Sequence, residues 1–143
     1  MKRIFILPAL IILLLLMGAE AADISVLEGV WKANGKETLI CQGTDPQSEN
    51  FAQVEQMFSA NLPKITLFFD TAKKYMVVDH VEDKKEGEFR VFSQHRNRII
   101  LEIGEGKLYF ALKKGQDGQE VLIMTSIPLD YDSDVVEKMA FTR

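Results

Sequence analysis

The stretch Leu27-Glu28-Gly29-Val30-Trp31 contains the only tryptophan of this 143-residue chain and lies at the start of its strand-rich part. About 120 residues follow the N-terminal apolar segment, which is enough to bury one hydrophobic core of modest size. We therefore expect a single domain, residues 22–143, whose later strands pack back against this tryptophan.

The N-terminal segment has the composition of a secretory signal peptide. Two basic residues precede an apolar run, residues 4–17, and Ala19-Glu20-Ala21 supplies the small residues that signal peptidase recognises. The sequence thus predicts cleavage after Ala21, removal of residues 1–21 as the signal peptide, and a periplasmic or secreted mature protein. A retained membrane anchor is the alternative, which the shortness of the apolar run disfavours.

The charge balance argues against two classes of partner. The chain has a formal net charge of −4 at pH 7 and contains no block of basic residues. Such a mildly acidic chain is not expected to bind nucleic acid or an anionic membrane surface. We expect contact with the membrane only through the signal peptide.

Cysteine usage bears on how the domain is stabilised. Cys41 is the only cysteine, so no internal disulfide can form and stability must come from the hydrophobic core. Exposure as a reactive thiol and pairing between chains are the alternatives to burial. We favour a small, buried apolar residue.

One amphipathic helix is predicted between the early strands. Asp45-Pro46 is typical of a helix start, with an N-cap residue followed by proline at the first helical position. Pro63 is expected to end the helix. The apolar residues that fall on one helical face, and are expected to pack on the core, are Phe51, Val54, Phe58 and Leu62.

The remaining sequence has the period of two that is typical of β-strands. Asn34-Gly35 predicts a tight turn between two early strands, or a sharp bend within one. From residue 64 onward apolar residues alternate, and strands recur at roughly eight- to twelve-residue spacing. Predicted turns lie at 70–73, 83–87, 94–97, 104–106 and 115–118, and the last strand is predicted at 135–142. A meander that is apolar on one face must close on itself or find a second sheet, so we expect a mainly β, antiparallel up-and-down barrel.

Short motifs along the whole mature chain carry a family resemblance. They are Gly29-Val30-Trp31, the Phe69-Asp70 turn into Tyr75, Gly87-Glu88-Phe89, Ile99-Ile100-Leu101, Leu108-Tyr109-Phe110 and Phe141-Thr142-Arg143. Together they resemble the lipocalin-like (calycin) group, especially its short bacterial domains. In that group the tryptophan of G-x-W plugs the closed end of the barrel, and a basic residue near the end of the last strand covers its indole. The resemblance implies these structural roles for Gly29, Trp31 and Arg143.

The alternating apolar positions support two interpretations. Barrels of this kind often hold one small apolar molecule. The residues expected to line such a ligand site are Phe69, Tyr75, Phe89, Phe110 and Ile123. The same bulky side chains could instead fill a small barrel, and both interpretations stay open.

Signatures of catalysis are absent from the sequence. His80, on the predicted face of Met76 and Val78, has no second ligand or carboxylate at useful spacing, so a haem ligand or general base is disfavoured. The acidic segment 130–134 lacks the glycine and glutamate of an EF-hand calcium loop. We expect no catalytic residue, no metal site and no cofactor.

The functional hypothesis follows from the predicted barrel and signal peptide. We expect an exported, non-enzymatic binding protein for a small apolar ligand, or one with a role in the cell envelope. The alternative is a protein-interaction, inhibitor or envelope-stress module with a filled barrel.

Overall fold

A computed structural model describes residues 23–81, 83–125 and 138–143. Eight antiparallel strands form a closed barrel in which each strand pairs with its neighbours along the chain and the last pairs with the first. The prediction of a mainly β, up-and-down barrel is confirmed. The predicted signal peptide, its cleavage site and the acidic segment 130–134 lie outside the described residues.

The regular elements follow one another in a simple order. A short 3-10 turn, Ser25–Leu27, precedes the first strand, and two helices lie between the first and second strands. The strands are β1 Gly29–Ala33, β2 Ile65–Asp70, β3 Tyr75–His80, β4 Asp83–His95, β5 Arg98–Ile103, β6 Gly106–Lys114, β7 Glu120–Thr125 and β8 Lys138–Thr142. The helices are α1 Gly35–Cys41 and α2 Phe51–Asn61. Neither helix, nor the rest of the described chain, offers a helical segment long and apolar enough to cross a membrane.

Side chains on the inner face of the barrel form one hydrophobic core. Residues paired across neighbouring strands point to the same face, and the pairs Trp31–Leu67 and Phe69–Met76 place four large side chains inside. All four are fully buried. Burial of each such side chain contributes roughly 1.5–3 kcal/mol. Further buried members of this core are Phe89, Ile99, Leu101, Phe110, Leu122 and Phe141.

The segment Asn34-Gly35 begins a helix and is not the predicted turn between strands. The Asn34 side chain accepts a hydrogen bond from the backbone N–H of Glu37 at 3.0 Å and so caps α1. Asparagine serves equally well as an N-cap and in a tight turn, so the dipeptide did not distinguish the two. Gly35 is needed for close packing, because a Cβ there would lie 2.1 Å from the Ser59 hydroxyl oxygen of α2.

Helix α1 covers the outer face of part of the barrel. Leu122 of β7 belongs to the inner core, so its neighbours Val121 and Ile123 face outward. With Ala111 and Ala140 they form a second buried cluster, the outer cluster, against which Cys41 packs. The single cysteine is free and half-buried.

Helix α2 is shorter than predicted at its start. The Asp45 carboxylate accepts a hydrogen bond from the N–H of Gln47 at 2.9 Å, and this local turn uses Asp45 before the helix begins at Phe51. The helix ends at Asn61, before Pro63, as predicted. Phe51 is buried, but Val54 is 37% exposed, so only part of the predicted apolar stripe contributes to the core.

The predicted turn at 83–87 is part of a strand. Asp83 already pairs with His80, and β4 continues without interruption through Gly87, which lies opposite Met76. The charged residues of this segment lie on an exposed strand surface, where Lys84 and Glu86 approach within 3.6 Å. Charged composition indicated a turn, whereas an exposed strand satisfies the same solvation requirement.

Candidate functional site

One end of the barrel is closed by Trp31. Its side chain is fully buried, and its indole N–H donates a hydrogen bond of 2.8 Å to the carbonyl oxygen of Leu27. The guanidinium carbon of Arg143 lies 4.4 Å from the centre of the indole ring. Burial of Trp31 and its contact with Arg143 are confirmed as predicted. The stacked cation is a favourable partner for the electron-rich aromatic face.

Arg143 also contacts two other elements at the same end of the barrel, the 3-10 turn and β7. Its guanidinium donates a hydrogen bond to the carbonyl oxygen of Val26 and lies 3.6 Å from a carboxylate oxygen of Glu120. Both partners of this ion pair are partly exposed, so the pair by itself contributes little to stability. Its effect is to hold the guanidinium over the indole.

Glu28 links the start of β1 to the β2–β3 turn. Both the backbone N–H and the hydroxyl of Thr71 donate hydrogen bonds to the Glu28 carboxylate, the former at 2.8 Å. These hydrogen bonds hold the pKa of Glu28 below its usual value, and the bond from the Thr71 hydroxyl has the larger effect. The nearby charge of Arg143 makes a smaller contribution in the same direction. The closed end is thus tied together by polar contacts around the tryptophan.

Three of the predicted ligand-site residues lie together in the packed core. The rings of Phe69 and Phe89 meet edge to face at a centroid distance of 6.4 Å, and those of Phe69 and Phe110 at 5.8 Å. All three side chains are buried. Their edge-to-face packing favours a structural role at this level of the barrel.

The other two predicted ligand-site residues lie on the outer face. Met76 shares the inner face with Phe69, so its neighbour Tyr75 points outward. Partial burial and then the nearby Glu86 raise the pKa of the Tyr75 phenol. Ile123 belongs to the outer cluster beneath α1. The placement of both residues inside the barrel was wrong, because each lies in an apolar run in which alternation cannot identify the inner face.

A pocket of about 490 Å³ lies at the end of the barrel opposite Trp31. β8 ends beside Trp31 at Arg143, and Met139 near its start therefore marks the other end. We call this the rim pocket. Its apolar lining comes from the inner face of the strands and from the end of α2: Leu108, Met124, Met139, Phe58, Leu62 and Pro63. Its remaining lining residues are Thr38, Gln42, Asn61, Thr125 and Lys138.

The rim pocket was missed from the sequence. Its strand residues come from β6, β7 and β8, and its other residues lie much earlier in the chain, at positions 38–63. Two of them, Met124 and Met139, are paired across β7 and β8. Methionine is flexible and polarisable, and it is common at surfaces that accommodate varied apolar groups. The two methionines were the available sequence signal for the site, but only the fold brings them next to each other.

In the part of the chain that the structure describes, neither histidine belongs to a cluster of possible metal ligands. His80 is half-buried at the end of β3, paired with Ile65 and Asp83, and His95 is exposed at the end of β4. Within residues 23–81, 83–125 and 138–143, no group of three or more His, Cys, Asp or Glu side chains is arranged to hold a metal ion. The described part of the chain thus offers neither histidine a ligand set.

Comparisons with protein-family models and with curated proteins find no match to this chain. The eight-stranded, closed antiparallel barrel is nevertheless consistent with a calycin-like fold. Function is therefore inferred from the barrel geometry and from the residues of its pockets.

Proposed function

We propose that this protein is an exported, non-enzymatic, lipocalin-like binding protein whose rim pocket takes a small apolar ligand. The observation that carries the proposal is the rim pocket itself, with a volume of about 490 Å³. Binding pockets for small molecules commonly have volumes of about 300–1,000 Å³ and are lined mainly by apolar side chains. The barrel interior near Trp31 is filled, so the ligand is assigned to the other end.

The composition of the rim pocket favours binding over catalysis. Among its described lining residues, Lys138 is the only one with a readily ionisable side chain. General acid–base catalysis needs a titratable group placed against a reacting atom, and hydrolytic mechanisms commonly use two such groups. A pocket of thioether, aliphatic and aromatic groups instead offers an apolar surface to a ligand.

Export is proposed from the sequence of the N-terminal segment. Residues 1–21 have the basic start, apolar run and small residues of a signal peptide. Expression with this segment in a bacterial host, followed by mass measurement of the periplasmic and medium fractions, tests the proposal. We expect a chain that begins at Ala22; recovery of only the uncleaved chain in the membrane fraction would contradict it.

A titration with a neutral apolar fluorophore tests the ligand site. N-phenyl-1-naphthylamine brightens in apolar surroundings, so the wild-type protein should give a saturable rise in fluorescence. Leu108→Phe adds bulk inside the rim pocket and should weaken binding at least fivefold. Val30→Phe adds the same kind of bulk to an outward position that is 44% exposed, and should leave binding unchanged.

Two results of this titration would contradict the rim-pocket assignment. One is the absence of a saturable signal in the folded wild type. The other is equal binding by Leu108→Phe and Val30→Phe. Native mass spectrometry of protein purified from the host periplasm adds an independent readout, because a carried ligand appears as extra mass that is lost on denaturation.

The second candidate function is that of a protein-interaction module. An exterior apolar row, formed by Val30, Phe68 and Val77 on three adjacent strands, favours it. Val30 and Phe68 are 44% and 40% exposed. Apolar rows of this kind occur at protein interfaces. Failure of the wild-type protein to bind the fluorophore, together with a ligand-free mass, would favour this function over the first.

A further inference from the structure

A second pocket, distinct in its chemistry from the rim pocket, lies where α1 begins. Its volume is about 430 Å³, and it shares no lining residue with the rim pocket. We call it the polar cleft. Its lining residues come from the start of α1, from α2 and from the β6–β7 turn: Asn34, Lys36, Glu37, Glu55, Gln116, Asp117 and Gln119.

The most unusual residue of the polar cleft is Glu37. Its side chain is only 3% exposed, and its Oε2 atom has no hydrogen-bond partner among the residues that the structure describes. Burying a carboxylate without a partner is costly, and such groups in proteins are normally paired or coordinated. Glu37 therefore has an unmet acceptor, on a side chain that lines the cleft.

Gly115 leaves space for this carboxylate. Its backbone φ lies outside the positive range, so the conformation does not call for glycine. A Cβ at this position would, however, lie 2.9 Å from Oε1 of Glu37 and 3.1 Å from a methyl carbon of Val121. The missing side chain thus accommodates the Glu37 carboxyl group at the β6–β7 turn.

The charges around the polar cleft favour a cation. Glu37, Glu55 and Asp117 contribute three carboxylates, against the single ammonium group of Lys36. No ion pair within 4 Å links Lys36 to any of them in the described structure. In the described part of the chain, these three carboxylates do not form a group that could hold a metal ion. An elongated organic cation, whose N–H donors are separated from one another, matches these separate carboxylates better than a single metal ion does.

We propose that the polar cleft binds a small aliphatic diamine. One ammonium group donates a hydrogen bond to the unpaired Oε2 of Glu37, and the second lies against the acidic side chains of Glu55 or Asp117. The amide oxygens of Gln116 and Gln119 are further acceptors for ammonium N–H groups. Charge-assisted hydrogen bonds of this kind are stronger than neutral ones.

Calorimetric titration of the purified protein with 1,4-diaminobutane, at constant ionic strength and pH 7, tests the proposal. We expect saturable binding with one site per chain. Glu37→Gln keeps the size of the side chain and removes its charge, and should lower the affinity at least tenfold. Asp117→Asn should lower it severalfold, since Asn keeps the oxygen that accepts the N–H of Gln119.

Glu105→Gln is the matched control. It removes one negative charge from the exposed β5–β6 turn, at the opposite end of β6 from the β6–β7 turn of the polar cleft. This variant should leave the affinity unchanged. Absence of saturable binding by the wild type, equal affinities of wild type and Glu37→Gln, or an equal loss in Glu105→Gln would each overturn the proposal. The last result would indicate general charge attraction.

A measurement on the wild type covers the case in which Glu37→Gln fails to fold. The backbone amide resonances of residues 34–37 and 115–119 should shift together during the diamine titration, with one common affinity. Shifts confined to other parts of the barrel would overturn the assignment of the site to the polar cleft.

Discussion

The guanidinium of Arg143 lies over the indole of Trp31, 4.4 Å from the ring centre, and joins the last residue of the chain to the first strand of the barrel. β1 and β8 share only two paired positions, Lys32–Thr142 and Ala33–Phe141. The barrel therefore closes at its shortest seam. Arg143 reinforces this seam at the closed end through its contacts with Val26 and Glu120.

Trp31→Ala should destabilise the protein by roughly 3–5 kcal/mol, because it leaves a large cavity at the closed end and removes the partner of Arg143. The free energy of unfolding is measured by urea denaturation. A loss well under about 1 kcal/mol would contradict the role of Trp31 as a plug, given the cost expected for a large buried aromatic side chain. Val30→Ala, at the adjacent outward position, is the control and should have a small effect.

Stability should depend on the ionisation of Glu28. Its hydrogen bonds from Thr71 lower its pKa in the folded state below the ordinary value of 4.5. The carboxylate thus contributes stability above the unfolded-state pKa, and this contribution is lost as the pH falls through the folded-state pKa.

Glu28→Gln is the variant that isolates this contribution. Denaturation midpoints of wild type and Glu28→Gln should differ at pH 7, with the wild type more stable, and should converge as the pH is lowered below about 4.5. Glu49→Gln, an exposed charge change, is the control. A constant difference between wild type and Glu28→Gln at every pH would show that the effect is not one of ionisation.

Thr38→Val should destabilise the protein by roughly 1–3 kcal/mol, because it leaves a buried backbone N–H without its acceptor. The Thr38 hydroxyl donates to the carbonyl oxygen of Asn34 at 2.6 Å and accepts from the N–H of Ala140 at 3.0 Å, joining α1 to β8. Unfolding by urea measures the loss. Thr44→Val, in the loop after α1, should change stability little, and equal losses in both variants would refute the specific role of Thr38.

Cys41 should react slowly with thiol reagents in the folded protein. Burial raises the pKa of its thiol, and the sulfur lies 3.2 Å from the carbonyl oxygen of Thr38. Since the thiolate is the reactive form, a raised pKa and restricted access both slow the reaction. Absorbance assays with an aromatic disulfide at pH 7 should show a rate at least tenfold lower in buffer than in denaturant. Equal rates would indicate an accessible, reactive thiol.

The placement of core side chains could be predicted where the outward positions of a strand are mostly polar. In β2 the inward Leu67 and Phe69 are buried, and in β5 the inward Ile99 and Leu101 are buried, as alternation indicated. In β7, Val121, Leu122 and Ile123 are all buried, because α1 covers the outer face. A strand buried on both faces loses its alternation, so the side on which Ile123 lies could not be predicted.

The two pockets could not be predicted from local sequence patterns. The rim pocket combines the ends of α1 and α2 with strand residues from β6, β7 and β8. The polar cleft brings Glu37 next to Gly115, which lies 78 positions later in the chain. Each site exists only because the closed barrel and the packed helices bring distant segments together.

Sequence patterns alone predicted the barrel class, the end of α2 before Pro63, and the contact between Trp31 and Arg143. These features depend on the period of apolar residues, on the missing N–H of proline, and on a resemblance in the motifs at the two ends of the domain. Three features were established by the packed fold: Asn34 caps a helix, particular side chains of β3 and β7 face inward, and two pockets lie between distant segments. Those outcomes depend on what covers each outer face, and that covering is supplied by segments distant in the chain.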